Sequence, residues 1–110
     1  MNKQSKIIRT WKGWTTKENA KIYEDLLINK IFPAVKEKGI VGFEKVSIAI
    51  QHKKEEVEFF LVLQFDSIDA VKTFAGENYE NAYMPEEAQR ILLRYEDTAQ
   101  HYELSKVIAF

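Results

Sequence analysis

Two side chains capable of chemistry lie inside segments that otherwise resemble buried strands. Arg9 interrupts the β-branched and aromatic run 7–14, and His101 lies in a short run near the C-terminal end. A guanidinium or an imidazole in such a place can stabilise an anionic oxygen, and an imidazole can also act as a base. The alternative for Arg9 is a structural ion pair with Glu58 or Glu103, because an unpaired buried charge is very costly. For His101 the alternative is a hydrogen-bonded wall residue.

Aromatic side chains could wall a ring-binding cavity beside these polar groups. Trp11 shares a strand face with Arg9 by alternation, whereas Trp14 falls on the other face. We expect Trp11, Phe74 and Tyr83 to contact a substrate, and Tyr83 lies in a loop that could serve as a lid. Core packing is the alternative for each of them, and a loop that simply packs down is the alternative to a lid.

Composition excludes several classes of function. The chain has 110 residues with 16 basic and 17 acidic side chains. Its formal charge of −1 therefore gives no excess of positive charge that would indicate nucleic-acid binding. It has no cysteine and only two histidines, so we expect no disulfide, no thiolate nucleophile and no metal site. No apolar run reaches membrane-spanning length and no signal peptide is evident. We therefore expect a cytoplasmic protein without a membrane partner.

Periodicity predicts four strands, over residues 7–14, 42–52, 57–65 and 99–104. The third strand is apolar on both faces, with Val57, Phe59 and Leu61 on one and Phe60 and Val62 on the other. Such a strand needs cover on both sides of its sheet. A chain this short covers only one, so the second side predicts contact with another copy.

Three helices connect the predicted strands. We expect the first to begin at Thr15 with a Thr-x-x-Glu capping box. We also expect a kink or a restart near Ile31 and Phe32, because Pro33 removes one backbone donor and clashes with the carbonyl one turn back. A second, shorter helix follows Asp66 and Ser67, and a third carries an apolar stripe from Pro85 to Tyr95.

This element order predicts the α+β, ferredoxin-like split β-α-β fold, with a four-stranded antiparallel sheet and the helices on one face. We expect a single domain over 1–110 with terminal extensions at 1–6 and 105–110. The helix-free face would join a second subunit to make a dimeric α/β barrel. The apolar tail Lys106 to Phe110 should dock on the partner or on its own sheet edge.

Several short motifs support a family resemblance covering roughly residues 7–104. They are Trp11-Lys-Gly-Trp-Thr15, Ala20-x-x-Tyr23, Gly39-x-x-Gly42, Phe65-Asp-Ser-Ile-Asp-Ala70, Phe74-Ala-Gly-Glu-Asn78 and His101-Tyr-Glu-Leu104. The series, with Pro33, resembles small proteins of the antibiotic biosynthesis monooxygenase-like group.

The resemblance implies a dimeric α/β barrel and a pocket between sheet and helices. It also implies a monooxygenase that needs no cofactor and acts on a small aromatic or phenolic molecule, with Arg9 or His101 handling the anion. The haem-degrading members carry Asn on the first strand, where this chain has Arg9 and Thr10, so haem degradation is disfavoured. The alternative is a non-catalytic dimeric protein that binds a small hydrophobic ligand or has an accessory role.

Overall fold

The fold is described by a computed structural model of residues 5–110, which contains one antiparallel sheet and short helices. The strands are β1 (Ile7–Thr15), β2 (Phe43–His52), β3 (Val57–Phe65), β4 (Arg94–Tyr95) and β5 (Gln100–Glu103). Their order across the sheet is β2-β3-β1, and both β4 and β5 pair with the remaining edge of β1. The ferredoxin-like fold predicted from the sequence is confirmed. The predicted N-terminal extension 1–6 lies mostly outside the described residues.

Alternation along β1 and β3 separates a buried face from a half-buried one. The odd-numbered residues of both strands are buried, from Arg9 to Thr15 in β1 and throughout β3. They form the core together with apolar side chains of the helices, among them Tyr23, Leu27 and Phe74. The helices of the described chain therefore pack on one face of the sheet.

The first helical stretch consists of α1 (Lys17–Leu26), a π-helical segment (Leu27–Ile31) and α2 (Phe32–Glu37). Pro33 lies in the first turn of α2, where its missing amide hydrogen is tolerated. The irregularity predicted near residues 31–32 takes the form of the π-helical segment, and the helix does not break and restart, because the flanking residues Leu26, Ile31 and Phe32 keep helical dihedral angles. The predicted capping residue was wrong by one position, because Thr16 caps α1 by accepting from the Asn19 amide at 3.0 Å. Thr15 still belongs to β1.

The second half of the chain contains α3 (Ile68–Ala75) and α4 (Glu86–Ile91). Ser67 caps α3, as the sequence predicted, by accepting from the Ala70 amide at 3.2 Å. The predicted continuation of α4 to Tyr95 was wrong, because the chain turns extended at Leu92. The amides of Leu93 and Glu96 instead donate to β1 carbonyls at 2.7 and 3.0 Å. Pairing with the β1 edge therefore replaces the last helical turn.

The C-terminal tail, residues 105–110, continues past β5 without regular secondary structure. Val107 and Ile108 are 73% and 70% exposed, and Phe110 is fully exposed. Of the two placements predicted for the tail, docking on its own sheet edge was therefore wrong. Within residues 5–110, none of the helices is both long and apolar enough to cross a membrane.

Candidate functional site

Arg9 is the most unusual side chain of the core, since it is only 2% exposed. Its Nη1 donates to the carbonyl of Tyr79 and lies 3.0 Å from His101 Nε2, and its Nη2 donates to the carbonyl of Asn81 at 3.0 Å. Burial lowers the pKa of Arg9 to about 10. The guanidinium is therefore charged at neutral pH, and main-chain carbonyls of the 78–81 loop are among its partners.

The predicted ion pair of Arg9 with Glu58 or Glu103 was wrong. Glu58 lies opposite Trp14 on the other face of the sheet, where it binds Trp14 Nε1 and Lys53. Glu103 accepts from Ser5 Oγ at 2.6 Å. No carboxylate in residues 5–110 lies within salt-bridge distance of Arg9. A guanidinium carries five N–H donors, and the three contacts above leave two of them without a partner in the described chain.

His101 lies next to Arg9 because β5 pairs with β1 in the register that sets these two residues opposite each other. The Tyr79 ring meets the imidazole edge-on, with centroids 5.1 Å apart. Burial and the charge of Arg9 together lower the pKa of His101. A neutral imidazole can accept the Arg9 hydrogen bond at Nε2 and keep its proton on Nδ1.

A narrow cavity lies between the sheet and the helices, next to Arg9. Its volume is about 40 Å³, far below the ~300–1,000 Å³ of typical ligand pockets. It has room for a few water molecules and not for an aromatic ring. Its lining comprises Arg9, Trp11, Tyr23, Leu27, Ile31, Phe32, Leu61, Leu63, Phe74, Tyr83, Met84, Pro85 and Ala88.

The structure brings four of the five predicted site residues to this cavity. Arg9 lies with its Cζ 5.4 Å from the centre of the Phe74 ring, and Phe74 contacts Tyr83 with centroids 4.9 Å apart. Trp11 forms another wall, and its Nε1 donates to the Glu96 carbonyl at 2.7 Å. His101 lies beside Arg9 and is not part of the lining. The chemical roles of these residues stay predictions.

Gly13 is what lets the Trp11 indole lie flat along its own strand. A Cβ at Gly13 would approach Trp11 Cη2 to 2.6 Å and Leu92 Cδ1 to 3.4 Å. The indole therefore occupies space that any other residue at position 13 would fill. Trp11 and Leu92 are both buried as a result, at 6% and 8% exposure. Part of the space that an open pocket would need is thus packed core.

Two features of the site were missed by sequence reasoning. The first is the contact of Arg9 with the carbonyls of Tyr79 and Asn81, and no side-chain pattern reports the use of main-chain atoms. The second is Tyr23, a buried residue of α1 that lines the cavity. It packs edge-on against Phe59, and burial raises its pKa, so its phenol is neutral. Within residues 5–110, no cluster of three His, Asp or Glu side chains could hold a metal ion.

The sequence matches no family model and no curated protein. Among solved structures, the chain is similar to a putative antibiotic biosynthesis monooxygenase from Bacillus cereus, with a TM-score of 0.67. The similarity covers 96% of this chain and 99% of that one, at 14% sequence identity. The chain therefore has the fold of the antibiotic biosynthesis monooxygenase-like group that its motifs resemble.

Proposed function

We propose that the protein is a monooxygenase-like enzyme that binds a small aromatic or phenolic molecule between sheet and helices. The observation that carries the proposal is Arg9, a buried cation with free N–H donors beside an aromatic-lined cavity. An anionic oxygen on a ring is the ligand group that would satisfy both the charge and the donors. The name of the Bacillus cereus neighbour supports the same class of reaction.

The chemistry of this proposal needs neither a metal nor a flavin. A phenolate held beside Arg9 can transfer one electron to O₂, giving a phenoxyl radical and superoxide. These combine at a ring carbon to a hydroperoxide, which loses water and leaves a quinone carbonyl. One oxygen atom of O₂ enters the product and the other leaves as water. The protein's part is to bind, to stabilise the anion and to exclude solvent.

His101 is the residue proposed to handle the phenol proton. Its Nε2 accepts from the Arg9 guanidinium at 3.0 Å, so a phenol oxygen that binds Arg9 would arrive close to the imidazole. The phenol must replace Arg9 as the hydrogen-bond partner of Nε2 before this nitrogen can take its proton. The lowered pKa of His101 favours the neutral form that a base requires.

The volume of the cavity favours the accessory role within the second, non-catalytic candidate function, because a space of about 40 Å³ admits neither a substrate nor a ring-sized ligand. A ring can enter only if part of the wall moves, and the part of the lining without regular secondary structure is the segment 83–85. Tyr83 in this segment is 36% exposed and packs on Phe74. The enzyme proposal therefore includes displacement of this segment as a lid.

Two copies would associate through the helix-free face of the sheet. This face carries Ile8, Phe60 and Val62, which are half-buried, and Tyr102, which is 56% exposed. Charged side chains also lie on this face: Lys12 Nζ is 5.6 Å from the centre of the Phe60 ring, and the Glu58 carboxylate binds Lys12 and Lys53. Aromatic and aliphatic side chains together with charges that are already paired support the proposal of a subunit interface.

Oxygen uptake with a panel of phenols, naphthols and hydroquinones tests the enzyme proposal. We expect uptake with wild type, a ten- to hundredfold smaller kcat/KM for Arg9→Gln, and partial retention for Arg9→Lys, since a charged hydrogen bond contributes about 1.5–3 kcal/mol. Arg90→Gln removes an exposed arginine and is the matched control. Ligand-induced thermal shifts that depend on Arg9 without any uptake would favour the non-catalytic function. No uptake and no shift would contradict both.

A further inference from the structure

The positive charge of Arg9 has no counter-charge among its contacts in the described chain. Those contacts are the main-chain carbonyls of Tyr79 and Asn81 and the imidazole of His101, and none of these groups is negatively charged. Burial is the cause that shifts the pKa of Arg9, whereas a neighbouring carboxylate would raise that pKa. A buried cation without a counter-ion is costly, so an anion that reaches Arg9 would stabilise the folded chain.

The unused N–H groups of Arg9 belong to two nitrogens of the same guanidinium. Nη1 makes two contacts and Nη2 makes one, so Nε–H and one hydrogen of Nη2 have no acceptor within residues 5–110. Both nitrogens are bonded to Cζ, which lies 5.4 Å from the centre of the Phe74 ring. A guanidinium presents such donors as a fork that binds an acceptor with two hydrogen bonds. One small acceptor could therefore use both of them.

The cavity that Arg9 lines has the size of a small ion. Its volume of about 40 Å³ has room for about three water molecules, since each needs roughly 10–15 Å³. A halide ion is only slightly larger than a water molecule and fits this space. Phosphate, sulfate and an aromatic ring are larger and require the wall to move. The size therefore selects a halide or an ion of similar dimensions.

The lining of the cavity favours an anion with a single charge. Arg9 is the charged side chain of this lining, and none of the described lining residues carries a carboxylate. Tyr23 and Tyr83 contribute hydroxyl groups, and burial raises the pKa of Tyr23, so its phenol stays a neutral donor. Other walls are apolar, among them Phe74 and Leu63, which pairs with Arg9 across β1 and β3. A single positive charge in apolar surroundings is matched by a single, weakly hydrated negative charge.

We propose that this cavity binds one small monovalent anion of halide size, such as chloride, through the guanidinium of Arg9. The anion supplies the missing counter-charge and accepts hydrogen bonds from Nε and Nη2. The proposal does not depend on the enzyme activity proposed above, since a halide enters without displacement of the segment 83–85. A phenolate that reaches Arg9 would take the place of this anion.

Unfolding at constant ionic strength tests the site in solution. Chloride replaces gluconate, which is too large for the cavity, so the screening of exposed charges stays equal. An anion that binds only the folded chain raises the folding constant by a factor of 1 + [anion]/Kd. At chloride about ten times its Kd we therefore expect an about elevenfold larger folding constant and an unfolding midpoint about 4–8 °C higher.

Arg9→Gln removes the cation and should abolish the dependence of the unfolding midpoint on chloride. Arg90→Gln removes an exposed arginine that pairs with Glu86, so it is the matched control and should keep the dependence of wild type. A wild-type midpoint that does not change between gluconate and chloride would overturn the proposal. A dependence equally large in Arg9→Gln and wild type would also overturn it, because the anion would then bind elsewhere.

Anomalous diffraction from wild-type crystals gives the position of the anion and needs no variant, so it decides the question even if Arg9→Gln does not fold. The crystals are grown at the bromide concentration that saturates the stabilisation in solution. We expect a bromide peak in the cavity, within hydrogen-bond distance of the Arg9 guanidinium. Bromide at the protein surface alone would overturn the site. Oxygen uptake is a separate measurement, so uptake without halide binding would overturn this proposal and leave the enzyme proposal standing.

Discussion

At the scale of single residues, Arg9 holds a full positive charge in a core position beside carbonyl oxygens instead of a carboxylate. Carbonyl dipoles solvate a guanidinium only in part, and a buried cation without a counter-ion is costly. Part of the electrostatic cost of burying the Arg9 charge therefore remains, and an anion next to the cavity would reduce it. The same arrangement fixes the 78–81 loop, since Arg9 donates to the carbonyls of Tyr79 and Asn81. An anion bound to Arg9, as proposed, would therefore contact the same side chain that holds this loop.

The stability of the fold should depend on the protonation of His101. Burial, then the charge of Arg9, lowers the pKa of His101 below its ordinary 6.5, and the Glu80 charge opposes this shift weakly. As pH falls below about 6.5, the unfolded chain takes up the proton first, so the free energy of unfolding falls until the folded-state pKa is passed. Urea unfolding from pH 8 to pH 5 measures this slope.

His101→Gln is the variant that should reduce the slope, because glutamine can still accept from Arg9 and cannot titrate. His52→Gln, which removes an exposed imidazole, is the matched control. The quantity to compare is the slope of the unfolding free energy against pH in the two variants. A slope that is equally steep in wild type and His101→Gln would contradict the expectation.

At the scale of elements, the start of α1 shows how two adjacent threonines have different functions. Thr16 Oγ1 accepts from the Asn19 amide, whereas the Thr15 hydroxyl is buried without a hydrogen-bond partner. We expect Thr16→Ala to lower the free energy of unfolding by about 1 kcal/mol. Thr15→Val should be neutral or stabilising, since it removes an unsatisfied buried hydroxyl at nearly constant shape. Urea unfolding measures both changes. A larger loss of unfolding free energy for Thr15→Val than for Thr16→Ala would identify Thr15 as the cap.

The turn between α2 and β2 depends on Gly42 for two separate reasons. Its φ is +93°, and a Cβ there would approach Asp66 Oδ1 to 2.2 Å and Ala70 Cβ to 2.9 Å. Gly39 also has a positive φ, +62°, but has open space around it. Gly39→Ala should cost about 1–2 kcal/mol of stability from the backbone alone. Gly42→Ala should cost about 1–3 kcal/mol more from overpacking.

Thermal or urea unfolding of both glycine variants checks this difference. Equal losses for the two would mean that Asp66 and α3 move aside without cost.

At the scale of the whole molecule, the helix-free face is the surface on which the proposed dimer depends. Val62→Asp places a charge among its half-buried apolar residues and should convert a dimer to a monomer, measured by light scattering or sedimentation. Ile22→Asp makes the same kind of change at a 54% exposed position of α1 and should stay dimeric. Circular dichroism establishes that both variants are folded. A dimer that survives Val62→Asp would contradict the proposed interface.

The sequence by itself determined the strands of the sheet centre, the helix irregularity before Pro33 and the fold. These follow from local causes: alternation in β1 and β3, ring geometry at proline, and capping at Ser67. It also predicted residues that line the cavity, because side-chain alternation puts Arg9 and Trp11 on the same face of β1.

Only the tertiary structure decided the partners of Arg9, the size of the cavity and the break between β4 and β5. The carbonyls that bind Arg9 belong to residues 70 and 72 positions further along the chain. The hydrophobic pattern within one helix or strand does not predict contacts between residues so far apart in sequence. The helical stripe after Ile91 was overridden because the chain there hydrogen-bonds to the β1 edge. The cavity is narrow because Gly13 admits the Trp11 indole, a fit that depends on how strand and helices pack together.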